Sequence, residues 1–111
     1  MNITTQYFQE TALFTLTGKM DFQSHSHLLS SIEDAVHSGS QTINLDLQYV
    51  PFIDSLAIGL LVAAYKQLKG QDIQLQLVCP EHNSVVTTIL QSLKVPELIP
   101  TFLSFQEALS G

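Results

Sequence analysis

The sequence predicts a single α/β domain, with a mixed, mostly parallel sheet of four to five strands and helices packed mainly on one face. In three segments, successive side chains fall alternately into two sets that face opposite ways, as in strands with one buried face. These segments are residues 12–17, 43–47 and 73–77. Helical patterns separate these segments, which is typical of parallel strands joined by right-handed crossovers. Strands that are covered on both faces usually consist of continuous apolar residues. The polar residues at alternate positions here therefore indicate that one face of the sheet is more open than the other.

The elements are expected in the order β-β-α-β-α-β-α-β-α. A weaker strand over 3–9 is expected to form a hairpin with 12–17 through the tight connection at 10–11. A first helix is indicated by a shared apolar face, with Ser24 as its N-cap and Gly39 as its stop signal. That face carries Leu28, Ile32, Ala35 and Val36.

Three further helices are expected in the second half of the chain. The first of them covers residues 55–69 and closes at Gly70. The next begins after Asn83 as N-cap and ends before Pro96, with an apolar face of Val86, Ile89, Leu90 and Leu93. The capping-box pattern Ser104-Phe105-Gln106-Glu107 predicts a short last helix, and a short fifth strand is expected over 100–102.

Composition limits the function classes. The chain has 111 residues, of which 45% are hydrophobic, enough for the core of one domain over residues 1–111. Its net charge is −6, with four lysines and no arginine, so a basic stripe for nucleic acid cannot form. The longest apolar run, over 56–65, is too short to span a bilayer. The N-terminus lacks signal-peptide features and there is one cysteine, which together predict a cytoplasmic protein.

An acid and a hydroxyl, Asp54 and Ser55, stand at the start of the second predicted helix. Because the carboxyl ends of parallel strands share one edge of a sheet, Asp21 is expected beside them. Ser55 is interpreted either as a helix cap or as an acceptor for a phosphate, which a helix N-terminus stabilises. Nucleophilic catalysis is disfavoured because no Gly-x-Ser-x-Gly elbow or neighbouring histidine is present.

Other chemistry-bearing residues fit no catalytic or metal-binding motif. The four histidines lack the spacing of metal ligands: His25, His27, His37 and His82. No Gly-rich phosphate fingerprint follows any strand, and Cys79 ends an apolar strand as a small buried hydrophobe would. Asp21 and Asp54 could do acid–base work together, but acids on strand-end loops are common. We therefore expect no enzyme activity, no catalytic residue, no cofactor and no metal.

The helix over 55–69 is apolar on nearly all sides, which indicates either a sandwiched helix or a docking patch beside Ser55. The residues expected to face the sheet are Leu56, Leu60, Ala63 and Ala64, which leaves Ile58, Leu61, Val62 and Tyr65 in surplus. Gly59 lowers helix stability and predicts the close approach of another backbone. Contacts to a partner are expected from Met20, Phe52, Leu56, Ala57, Ile58 and Leu61.

These features give the chain a resemblance to the STAS domain family, named for sulfate transporters and anti-sigma factor antagonists. The resemblance covers nearly the whole chain. It rests on the turn over 18–21, the strand over 43–47, the approach over 50–55, the residues 59–61 and the tail over 98–109.

Within that family, this chain resembles the small stand-alone members, which look like anti-sigma factor antagonists. The resemblance implies that the unphosphorylated protein captures an anti-sigma factor with serine kinase activity and so frees a sigma factor. It also implies Ser55 as phosphoacceptor, Asp54 and Asp21 as neighbouring acids, and a metal-dependent serine phosphatase as a second partner. ATP and Mg²⁺ would belong to the kinase.

The sequence departs from the family pattern directly after Ser55, where Leu56-Ala57-Ile58-Gly59 replaces a small residue followed by Gly-Leu-Gly. The departure leaves room for a dedicated partner. It also leaves room for a structural STAS subunit that is not phosphorylated, docked in a complex such as a lipid-transport ATPase. Self-association as a weak homodimer stays open as well.

Overall fold

The structure is a computed structural model and describes residues 1–110; the predicted domain runs on to Gly111, which lies outside the described residues. The predicted order of elements is confirmed. Within 1–110 the elements are β1 (Asn2–Phe8), β2 (Thr11–Thr17), α1 (His25–His37), β3 (Thr42–Tyr49), α2 (Ser55–Lys69), β4 (Gln74–Val78), α3 (Ser84–Ser92), β5 (Thr101–Phe102) and α4 (Phe105–Ser110). Short 3-10 turns cover Phe22–Ser24 and Val95–Glu97.

The five strands form one sheet in the spatial order β1-β2-β3-β4-β5. β1 pairs antiparallel with β2, and the three following pairs are parallel, which confirms the mixed, mostly parallel sheet. The hairpin turns at Gln9, whose φ of 56° lies in the left-handed region. Because β2 to β5 follow one another in space and in sequence, right-handed crossovers place α1, α2 and α3 on the same face.

The main core lies between that face and the three helices. Its fully buried side chains on the central strands include Phe14, Leu45 and Leu77. Ile32 of α1 and Leu61 of α2 cover them from the helical side. This packing supplies most of the buried apolar surface that holds the sheet and helices together.

The second face of the sheet is less open than the alternation of side chains indicated. Leu13, Asn44 and Gln76 form a row in register across three strands there. Asn44 is only 1% exposed and Gln76 6% exposed. The short helix α4 covers this face, and its Phe105 ring lies 5.5 Å from the ring of Phe8 on β1. The last helix thus packs opposite the other three.

Of the residues predicted to face the sheet from α2, only Ala64 is buried; Leu60 is partly exposed, and Leu56 and Ala63 are exposed. The residues that α2 buries are Ala57, Ile58, Leu61, Ala64 and Leu68, whereas Leu56 is 55% exposed. The error has a physical cause: a helix that is apolar on all sides has no unique stripe, so packing against the sheet decides its rotation. Gly59 is exposed, and a Cβ atom built there would meet no atom within 4 Å apart from its chain neighbours and the backbone of its own helix. The close backbone approach predicted at Gly59 therefore does not occur within residues 1–110.

Local end signals were more reliable. Gly39, at φ 92°, ends α1 in the left-handed conformation that glycine adopts without strain. The Ser104 hydroxyl accepts from the Glu107 N–H at 3.1 Å. Glu107 in turn accepts from the N–H of Leu103, one residue before the position that a standard capping box uses. The left-handed Gly39 marks the end of α1, and the two hydrogen bonds at Leu103 and Glu107 mark the start of α4.

Candidate functional site

Two loops meet at the carboxyl ends of β2 and β3. The Met20 N–H donates to the Phe52 carbonyl at 3.0 Å, and the Asp54 N–H donates to the Met20 carbonyl at 3.3 Å. Met20 and Ile53 thereby form a parallel bridge beyond the ends of the two strands. Asp21 and Ser55 follow this bridge on their own loops, so they lie at the same edge of the sheet, as the parallel arrangement predicts.

Asp54, and not Ser55, caps α2. Its backbone is extended, and its Oδ1 accepts from the Ala57 N–H at 2.7 Å. Ser55 is the first helical residue and is exposed, and within residues 1–110 its hydroxyl makes no hydrogen bond. Because Asp54 caps the helix, the interpretation of Ser55 as the helix cap is wrong. The hydroxyl stays available beside the positive end of the helix.

Asp21 has a local structural partner. Its Oδ1 accepts from the Ser24 N–H at 3.0 Å, and the Ser24 hydroxyl accepts from the Asp21 N–H at 3.0 Å. This reciprocal capping box opens the 3-10 turn over Phe22–Ser24. Ser24 precedes α1 as predicted, but its side chain makes no capping bond to that helix, because the same hydroxyl bonds back to Asp21. The expected role of Ser24 as side-chain cap of α1 was wrong.

The surface beside Ser55 is apolar. Phe52 precedes the α2 cap and is 45% exposed, and Leu56 directly follows Ser55. Phe22, which follows Asp21, is 59% exposed and was missed by the sequence analysis. Its position in a turn next to a candidate site acid was a signal that could have found it.

Four residues expected to contact a partner are buried instead. Met20, Ala57, Ile58 and Leu61 belong to the main core, so their side chains do not reach the surface of the chain. Met20 is held inside by the bridge to Ile53, and the other three lie on the buried side of α2. The accessible part of the expected contact set is Phe52 and Leu56.

Asn83 attaches the segment that leads from β3 toward Ser55 to the start of α3. Its Nδ2 donates to the carbonyls of Leu47 and Val50, both at 2.8 Å. Its Oδ1 accepts from the Val86 N–H at 3.4 Å, which confirms the predicted N-cap of α3. The cap was visible in the sequence, but the two bonds to a segment more than 30 residues earlier were not.

The site has little room for a small ligand. The cavity between Asp21, His25 and Ala57 has a volume of about 10 Å³, no more than one water needs. Across residues 1–110, no group of three or more His, Cys, Asp or Glu residues is arranged to hold a metal ion. No helix in that part of the chain is both long and apolar enough to cross a membrane. The accessible features are a hydroxyl and an apolar surface.

Cys79 lies in the core directly after β4. Its Sγ lies 3.3 Å from the Thr87 hydroxyl. Burial raises the pKa of the thiol, and the hydrogen bond to Thr87 only partly opposes that effect. A raised thiol pKa disfavours the nucleophilic thiolate, which agrees with the interpretation of Cys79 as a small buried hydrophobe.

Comparisons with known proteins agree with the architecture. The family model of the STAS domain matches residues 2–108. A candidate anti-sigma factor antagonist from Thermotoga maritima has a TM-score of 0.85 at 18% identity, over 97% of this chain and 92% of that one.

Two other structures extend the comparison. The anti-sigma factor antagonist SpoIIAA in its unphosphorylated form has a TM-score of 0.70 at 20% identity, over 98% of this chain and 96% of that one. A sulfate transporter family protein from Wolinella succinogenes has a TM-score of 0.73 at 17% identity, over 92% of this chain and 84% of that one. At such identities, the likeness shows a shared fold.

Proposed function

We propose that this chain, which belongs to the STAS domain family, is a protein-binding regulator of the anti-sigma factor antagonist type that is switched by phosphorylation of Ser55. The carrying observation is the exposed Ser55 hydroxyl at the first residue of α2, next to the Asp54 cap; this hydroxyl makes no hydrogen bond within residues 1–110. The protein is the substrate of this phosphorylation. ATP and Mg²⁺ are bound by a serine kinase partner that also acts as the anti-sigma factor.

The unphosphorylated form captures that kinase and so frees a sigma factor. Phe52 and Leu56 offer exposed apolar surface beside Ser55, where a partner can bury apolar area. Phosphorylation adds roughly −1.5 to −2 charges at this position. A partner that packs there would have to desolvate the phosphate, so phosphorylation releases the partner. A serine phosphatase restores the binding form.

The fold tolerates the modification because the helix cap does not depend on the Ser55 hydroxyl. The N-terminus of α2 favours the phosphate, while the carboxylates of Asp54 and Asp21 repel it. Both carboxylates already accept backbone hydrogen bonds. The switch therefore acts mainly on the surface that a partner meets.

Phosphorylation is tested by incubating the purified chain with ATP, Mg²⁺ and a kinase-type anti-sigma factor encoded beside it, then mapping phosphate by mass spectrometry. We expect one phosphate, on Ser55, and none in Ser55→Ala. Ser84 provides a matched control, since it is the exposed first residue of α3 behind the Asn83 cap. Labelling that persists in Ser55→Ala but disappears in Ser84→Ala contradicts the assignment.

Binding of the unphosphorylated chain to the same kinase is measured by calorimetry. We expect Ser55→Glu to weaken binding and Ser55→Ala to preserve it. Leu56→Ala should also weaken binding, whereas Val85→Ala should not, because Val85 is a comparably exposed second residue of another helix. Binding that is indifferent to Ser55→Glu and Leu56→Ala argues against the switch.

A structural STAS subunit is the second candidate. The likeness to a sulfate transporter family protein and the bulk of Leu56 beside the acceptor position favour it. In that case the chain copurifies with a larger complex such as a lipid-transport ATPase. Copurification that Ser55→Asp leaves unchanged distinguishes this role from the switch.

A further inference from the structure

β1 is an edge strand whose outer side has no partner strand within residues 1–110. It stands at one end of the sheet and pairs only with β2. No backbone group of a loop in that part of the chain hydrogen-bonds to its outer side. Tyr7 is 50% exposed, and the side chains of Asn2, Thr4 and Gln6 are exposed as well. The outer side of β1 is therefore open to solvent.

Hydrogen bonds between β2 and β3 show which backbone groups of β2 point toward β1. The Glu10 carbonyl accepts from the Gln41 N–H at 2.7 Å, and the Gly18 N–H donates to the Tyr49 carbonyl of β3 at 3.3 Å. In a strand, the backbone groups of alternate residues point toward opposite neighbours. The even-numbered residues of β2 therefore bond to β3, and the odd-numbered ones bond to β1.

The register then identifies the groups of β1 that point outward. The odd-numbered residues of β2 pair with even-numbered residues of β1, as Thr11 does with Phe8. The even-numbered residues of β1 consequently direct their backbone groups toward β2. Ile3, Thr5 and Tyr7 direct their N–H and C=O groups to the open side, where a further strand can bond to them.

β1 has none of the features that usually protect an exposed edge strand. Its seven residues include no charged residue and no proline. Its pairing with β2 runs over all seven residues without a bulge. Isoleucine, threonine, tyrosine and phenylalanine, which make up most of the strand, also favour extended structure. Such an edge is suited to pairing with another strand.

We propose that β1 pairs with β1 of a second copy of this chain, antiparallel and around a twofold axis at Thr5, so that the two sheets join into one. In this register Thr5 lies opposite Thr5 of the second copy, and Ile3 lies opposite Tyr7 of the second copy. These are the residues whose N–H and C=O groups point outward. Each such pair can therefore exchange two hydrogen bonds across the axis.

The same register brings compatible side chains together. Ile3 packs against the main core, and Tyr7 lies on the same face of the strand but is half exposed. Ile3 of each copy would cover the Tyr7 ring of the other, as a β-branched and an aromatic residue do in stable cross-strand pairs. On the opposite face, Thr4 meets Gln6 of the second copy. All of these pairs are uncharged.

The charge of the chain lies away from this edge, although each copy has a net charge of −6. In the hairpin over residues 2–17, the only charged residue is Glu10 in the turn. A different protein would have to supply an edge of matching length and register, whereas a second copy supplies one by symmetry. Salt screens the remaining long-range repulsion, so the dimer should become tighter between about 50 and about 500 mM NaCl.

The first test is sedimentation velocity of the whole chain over a dilution series. We expect an equilibrium between monomer and dimer that depends on concentration. Tyr7→Lys should weaken dimerisation at least about fivefold, because a symmetric dimer loses both Tyr7–Ile3 pairs at once. Gln71→Lys is the matched control: it changes the net charge equally in the exposed turn before β4 and should leave the dimer unchanged or tighter. Circular dichroism of diluted Tyr7→Lys checks that its monomer stays folded.

Amide hydrogen exchange by NMR examines the backbone pairing itself. When the chain is concentrated, the amides of Ile3, Thr5 and Tyr7 should exchange more slowly, because they gain partners in the dimer. The amides of Thr4 and Gln6 already bond to β2 and should change less. Slowing of the even-numbered amides alone would contradict the outward direction of the odd-numbered ones.

Disulfide trapping tests the register. Thr4→Cys and Gln6→Cys are prepared separately in a Cys79→Ala background. In the proposed dimer, residue 4 lies opposite residue 6 of the second copy at a position without hydrogen bonds, where Cα atoms are about 4.5 Å apart and a disulfide can form. Mild oxidation of an equal mixture should give the mixed disulfide in excess over random pairing.

Three outcomes overturn the proposal. The first is a chain that remains monomeric up to about 1 mM. The second is a dimer that Tyr7→Lys leaves unchanged and Leu56→Ala disrupts, because such a dimer would use the apolar surface beside Ser55. The third is an excess of disulfides between identical positions, which would exclude a twofold axis at Thr5.

Discussion

The carboxylate of Asp54 accepts a 2.7 Å hydrogen bond from the N–H of Ala57, and this bond caps α2 without the help of Ser55. Two adjacent polar residues at one helix start thus have separate tasks. One holds the helix, and the other presents a hydroxyl at the surface.

The division of tasks predicts different effects on stability. Asp54→Ala should lower the free energy of unfolding by about 1 kcal/mol, the usual effect of losing an N-cap. Asp54→Asn keeps an acceptor and should retain most of that stability. Ser55→Ala should change it by less than about 0.5 kcal/mol. Urea unfolding measures all three, and equal losses in Asp54→Ala and Ser55→Ala would show that both residues cap.

Gly59 is expected to lower the stability of α2, and no contact within residues 1–110 requires a glycine there. Since a Cβ atom at Gly59 meets no atom within 4 Å apart from its chain neighbours and the backbone of its own helix, Gly59→Ala should stabilise the protein by about 1 kcal/mol in thermal or urea unfolding. Ala63→Gly, at an exposed position of the same helix, is the control and should have the opposite effect. A destabilised Gly59→Ala variant would contradict the open space around this residue.

The free energy of unfolding should depend on both the donor group and the acceptor group of the Asn83 side chain. Asn83→Asp preserves an acceptor for Val86 but turns a carboxylate toward the carbonyls of Leu47 and Val50. We expect a loss of at least about 2 kcal/mol in the free energy of unfolding. Amide exchange of residues 52–55 should become faster, because the loop loses its attachment to α3.

A control and a pH test accompany that prediction. Asn83→Ser retains a capping oxygen and removes the donation to both carbonyls, so it should be less damaging than Asn83→Asp at neutral pH. Below about pH 4 a protonated aspartic acid can donate again, and the difference between the two variants should narrow. Two variants with identical stability at every pH would exclude a direct bond to the carbonyls.

The Cys79 thiol should react slowly with iodoacetamide in the native protein and quickly in denaturant. Burial raises its pKa above the ordinary value of 9.0, with the bond to Thr87 acting in the opposite direction. Above pH 9.0 the unfolded chain therefore releases this proton first, and the stability contributed by the buried thiol declines. The difference in unfolding free energy between wild type and Cys79→Ala, measured from pH 7 to pH 10.5, isolates this effect from the other titrating groups. A difference that rises with pH would reverse the sign.

Much of the fold could be predicted because short-range signals decide it. The alternation of residues 43–47, the stop at Gly39 and the cap at Asn83 involve neighbours within a few positions. The strand–helix order then restricts the topology to parallel pairs with right-handed crossovers. The shared edge of Asp21 and Ser55 follows from the same reasoning.

The site was predicted less completely, because it depends on contacts between distant segments. The rotation of α2 moved Ile58 and Leu61 from the expected docking patch into the core, and it exposed Leu56 instead. Periodicity could not decide this rotation in a helix that is apolar on all sides. The position of Phe22 next to a candidate site acid was visible in the sequence, but the exposure of its side chain depends on how the turn packs in the tertiary structure.

By itself, the sequence determined the class of the fold, the order of its elements and their approximate extents, and the position of an acid–hydroxyl pair at the start of α2. Only the tertiary structure decided that Asp54 is the cap of α2, that the Ser55 hydroxyl makes no hydrogen bond within residues 1–110, and that Asn83 bonds to the carbonyls of Leu47 and Val50. The physical reason is the range of the interactions. Capping and alternation act over a few residues, whereas burial and strand pairing depend on segments that folding alone brings together.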